Sequence, residues 1–68
     1  MEYVIVRFNQ SRTVLIDGCV SGLTNETLMI NDGLHTFTLE GPTDFTPTEQ
    51  ILDITNTSSI KPQEVHFA

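Results

Sequence analysis

The residues able to do chemistry are few and scattered. Cys19 follows an Asp17-Gly18 pair, and His35 and His66 are the only imidazoles. A cysteine nucleophile needs a neighbouring base or cation to lower its pKa. The two histidines are distant from it in sequence, so Cys19 reads as a small loop residue. The same three side chains lack the close Cys-x-x-Cys or His-x-x-x-His spacing of a zinc site. Neither a metal nor a cofactor is expected. The carboxylates Asp17, Asp32, Asp44 and Asp53 fall on different turns and strands. A calcium loop needs such oxygens clustered, and a glycosidase needs two of them facing across a cleft. Neither pattern occurs, so the chain reads as non-enzymatic, with no catalytic residue. His35 reads as structural, its ring hydrogen-bonded to a loop backbone.

Length and charge agree with that reading. The 68 residues make one domain, 1–68. A domain this short buries only roughly 60% of the surface of its unfolded chain, so a deep cleft is hard to build. A single cysteine excludes an intrachain disulfide. Lys and Arg number 3 against 9 Asp and Glu, a net charge of −6. Nucleic acids and anionic membranes recruit clustered cations, so neither is an expected partner. The apolar runs Val4 to Val6, Val14 to Ile16 and Leu28 to Ile30 are too short for membrane insertion. The start lacks the basic and then apolar pattern of a secretory signal. A cytoplasmic location is the expectation, or the cell envelope if the chain is a fragment or a processed form.

The elements that must position these residues follow a period of two. Tyr3 to Phe8 alternates with Val4, Val6 and Phe8 on one face. Thr13 to Asp17 does the same with Val14 and Ile16, and Asp17-Gly18 ends it. Ser21-Gly22 reads as a second turn. Thr27 to Asn31 places Leu28 and Ile30 together. Asp32-Gly33 between alternating runs is a hairpin signal. Leu34 to Glu40 follows, with His35, Phe37 and Leu39 on one face. Phe45 folds back from a loop to cap the core. Thr48 to Thr55 is read as a strand rather than a helical turn, because β-branched residues dominate it. Glu64 to Phe67 closes the chain with Val65 and Phe67 inward. The expected fold is all-β, a small antiparallel β-sandwich of about six or seven strands.

One spacing is distinctive. Val14-Leu15-Ile16-Asp17-Gly18 is followed after three residues by Gly22, then Thr24-Asn25. Leu28, Ile30, Gly33, His35, Phe37 and Leu39 come next, then Gly41, Phe45 and Pro47. This pattern resembles the PEGA domain family over Val4 to Val65. The tetrad that names the family is absent; Asn9-Gln10-Ser11-Arg12 occupies its place. Asn25 stands where the family usually has Pro, and Phe45 where it usually has Tyr. The resemblance implies a small β-sandwich module, often repeated or attached to envelope proteins, that binds or packs rather than catalyses.

The outward faces are richer in apolar groups than a monomer of this size needs. Tyr3, Ile5, Leu15 and Met29 are the candidate binding residues, and Ile51 also points out. Contiguous exposed apolar surface marks contact sites. Thr13, Thr27, Thr36 and Thr38 read as a cross-strand threonine face. The expected function is a binding or scaffolding module that acts through protein contacts of its sheet surface or edges. The partner is another protein or a second copy, as a homodimer, with Glu64 to Phe67 as an edge candidate. The alternative is a carbohydrate- or cell-envelope-binding module; sugar binding usually uses exposed aromatics, and the chain has no Trp and a single Tyr, Tyr3, which disfavours it.

Overall fold

The computed structural model describes residues 1–68, and every regular element in it is a strand. In chain order these are β1 (Glu2–Arg7), β2 (Thr13–Ile16), β3 (Cys19–Leu23), β4 (Thr27–Ile30), β5 (Gly33–Leu39), β6 (Gln50–Ile54) and β7 (Gln63–His66). They form two sheets, ordered β4-β1-β7 and β3-β2-β5-β6. The architecture is a small β-sandwich. Its strand pairs are antiparallel except one: β1 and β7 run parallel, with Val4 beside Gln63 and Val6 beside Val65.

The alternation sets the core. Val4, Val6, Phe8, Val14, Ile16, Phe37, Leu39, Ile54, Val65 and Phe67 are buried in one cluster. Leu28, Ile30 and Leu52 pack against it partly buried. Phe45 joins from its loop, edge-to-face with Phe8 at 6.2 Å and with Phe67 at 5.6 Å. The loop is tied there by reciprocal backbone bonds between Thr46 and Ala68 of 2.8 and 2.9 Å.

Two turn readings change. Asp17 and Gly18 have φ of 54° and 81°, and positive φ at both central residues is the backbone of a tight hairpin turn. They join β2 to β3, a strand the sequence reading did not separate. Ser21-Gly22 is therefore strand and not turn. The pairing steps from Val14–Gly22 to Leu15–Val20, leaving Ser21 as the extra residue of a bulge. The second change concerns Asp32-Gly33, which makes no hairpin. β4 pairs with β1, whereas β5 pairs with β2 and β6. The Asn31-Asp32-Gly33 link crosses from one sheet to the other. A local turn signal says that the chain reverses, not which strand receives the hydrogen bonds.

The connection into β4 is fastened by side chains. Thr24 is buried, and its Oγ1 donates to the Gln10 carbonyl at 2.7 Å and accepts from the Arg12 N–H at 2.9 Å. Asn25, at φ 65°, pairs its side-chain amide with the Phe8 backbone at 3.0 and 3.3 Å. Asn tolerates this left-handed backbone and supplies both a donor and an acceptor.

Candidate contact surface

The outer face of the β3-β2-β5-β6 sheet follows from the inward set. Val14, Ile16, Phe37, Leu39 and Ile54 face the core, so their alternates face away. Leu15 is central there, opposite Val20 on one side and Thr38 on the other. Thr36 lies opposite Ile51, and Leu34 opposite Asp53. Val20, Leu34 and Ile51 are 69%, 70% and 60% exposed. Leu23, opposite Thr13, is also exposed. Within the strands this face carries one charge, Asp53, on the edge strand β6.

The four candidate binding residues divide between the two outer faces. Leu15 is half-buried on the face just described. Tyr3, Ile5 and Met29 belong to the opposite side of the sandwich. Tyr3 and Met29 are direct cross-strand partners on β1 and β4; Met29 is exposed and Tyr3 half-buried. Ile5 is corrected: it is only 8% exposed. It sits on the middle strand of the three-stranded sheet, between Thr27 and Glu64. A central strand has neighbours on both sides, and their side chains cover it. The sequence reading missed Val20, Leu23 and Leu34 as members of the contact face. For Val20 and Leu23 the hidden signal was β3 itself, whose residues looked like two turns; Leu34 lies at the start of β5, on the same face as Thr36 and Thr38.

The threonine face is likewise rearranged. Thr27 lies in the other sheet, and Leu15 rather than a threonine stands opposite Thr38. Thr38 Oγ1 donates to the Thr48 carbonyl at 2.7 Å. The edge candidate near the C-terminus is β7, which lies at the edge of its sheet beside β1.

The polar side chains make structural contacts. The His35 ring reaches the Asn31 carbonyl at 2.7 Å through Nε2, and the Asp17 carboxylate at 2.6 Å through Nδ1. Asp17 also accepts the Thr36 N–H at 2.9 Å. Those bonds from Thr36 and then His35 hold the Asp17 carboxyl below its ordinary range. The bond to Asp17 holds the His35 imidazole above its ordinary value. Arg12 makes a two-pronged pair with Asp44 at 2.8 and 3.2 Å and lies 5.3 Å over the Phe8 ring. That pairing lowers the Asp44 carboxyl. Glu2 is lowered by hydrogen bonds from the Thr57 hydroxyl and N–H.

Cys19 is exposed at the start of β3. Nowhere do three His, Cys, Asp or Glu side chains gather as a metal site would need. The surface has no pocket. No helix is long and apolar enough to cross a membrane. No protein-family model matches the chain, and no curated protein and no solved structure matches it.

Proposed function

We propose that the chain is a non-enzymatic binding or scaffolding module that works through protein contacts, made chiefly by the outer face of the β3-β2-β5-β6 sheet. The observation that carries this is the composition of that face. Leu15, Val20, Leu34 and Ile51 share it with threonines, and Asp53 is its only strand charge. The chain as a whole carries −6. An acidic protein that keeps one sheet face nearly free of charge leaves apolar area for a partner to cover. An uncharged face also suits a second copy, because a two-fold interface sets each patch against itself.

The test is the solution mass by light scattering behind a sizing column, at several concentrations. A mass rising from 7.6 kDa toward twice that value identifies the partner as a second copy. Leu15→Lys and Ile51→Lys should then restore the monomer. If the chain stays monomeric, immobilised wild type and the double variant are compared for proteins captured from source-cell extract. Capture lost in the variant supports a foreign protein partner. A monomer whose captured set is unchanged by the variant sinks the reading.

A further inference from the structure

We propose that His35 is held as an imidazolium that clamps the β2–β3 turn to the Asn31-Asp32-Gly33 crossing, and that loss of its proton frees the crossing. The geometry carries this independently of the contact face. The two ring nitrogens lie 2.6 Å from Asp17 Oδ2 and 2.7 Å from the Asn31 carbonyl oxygen. A carbonyl oxygen and an ionised carboxylate only accept. A neutral imidazole has one N–H and satisfies one of them, whereas an imidazolium satisfies both. Asp17 Oδ1 already accepts the Thr36 N–H at 2.9 Å, which favours the ionised carboxylate. The proton between Asp17 and His35 therefore resides on the ring.

The surroundings contain no competing cation. Asp17 reaches the ring from the β2–β3 turn, and Asp32 adds attraction from the crossing. On β6 the residue opposite His35 is Leu52, while Asp53 is opposite Leu34. Within β5, Phe37 sets its ring 6.4 Å away. Glu2, paired with the end of β4, is engaged by Thr57. The His35 side chain is 15% exposed, whereas Asp17 and Asn31 are exposed residues.

Deprotonation sends one ring proton to water. The remaining N–H stays with Asp17, since a charged acceptor makes the stronger bond. Nε2 then turns a lone pair toward the Asn31 oxygen, and that contact changes from attractive to repulsive. The segment released is the link between the two sheets, because β4 and β5 lie in different layers.

The experiment is a pH titration of the ¹⁵N-labelled chain by NMR, reading the ring nitrogens and the backbone amides. His66 is separated by the His66→Gln variant. At about pH 6 both His35 nitrogens should carry protons. The ring should titrate above its ordinary value of 6.5. The amides of Asn31, Asp32 and Gly33 should shift and exchange faster at the same midpoint, while Thr36 stays protected. Asp17→Asn should move the midpoint downward. A bare ring nitrogen at about pH 6 overturns the proposal. So does a ring titration that leaves residues 31–33 unmoved. If Asp17→Asn does not fold, the wild-type titration decides alone.

Discussion

Leu28 occupies the space that a side chain on Gly22 would need. A Cβ built at Gly22 would overlap Leu28 Cδ2, and Gly22 has φ of 154°. The contact joins edge strand β3 of one sheet to edge strand β4 of the other.

Gly22→Ala should therefore destabilise the fold by about 1–3 kcal/mol, the usual cost of overpacking plus a backbone poorly suited to an L residue. Urea denaturation reads this as a lower midpoint. Adding Leu28→Ala should recover part of the steric loss and leave the backbone part, so the two changes should not add. Strict additivity would remove the contact as the cause.

Phe45→Ala should cost about 3–5 kcal/mol, as for other buried aromatics. Phe45 is the contribution of the β5–β6 loop to the core, packed against Phe8 and Phe67 just beyond the ends of β1 and β7. For a domain of marginal stability that loss is most of the margin. Circular dichroism on heating should show a melt shifted far down, or no cooperative melt at all.

Ile5 and Ile51 test the division of the outer surface. Ile5 is buried although it lies outside the core cluster, so Ile5→Ala should cost about 2–4 kcal/mol. Ile51 is exposed, and Ile51→Ala should stay within about 0.5 kcal/mol. Equal effects in thermal or urea unfolding would contradict the assignment of Ile5 to a covered site and Ile51 to an open one.

Stability should peak in mildly acidic solution. Asp17, Asp44 and Glu2 have carboxyl pKa values lowered by folding. Their contributions are full above the ordinary values of 3.8 and 4.5 and are lost as pH falls through the lower folded values. His35 is raised. Its contribution is full below 6.5 and is lost as pH rises through the higher folded value. Urea midpoints across pH should form a plateau between these limits, falling on both sides. His35→Gln should flatten the alkaline side and leave the fall contributed by Asp44 and Glu2 on the acid side.

The sequence by itself determined the fold class and nearly the whole core. Alternation at Val4, Val6 and Phe8, or at Val14 and Ile16, is a local property: successive side chains leave a strand on opposite faces. Burial of one face then follows from hydrophobicity alone. The structural role of His35 toward a loop backbone was legible for a similar reason, since its strand and the preceding loop adjoin in the chain. Tertiary structure decided everything that depends on which strands become neighbours. Asp32-Gly33 became a crossing between layers because β4 found its partner in β1. The parallel pairing of β1 with β7 joins segments at opposite ends of the chain. Ile5 was covered because its strand took a central place, while Val20 and Leu34 became surface on the sheet face that carries Leu15. Such neighbours are set by how two sheets with shared connections pack over one core. No window of consecutive residues contains that arrangement.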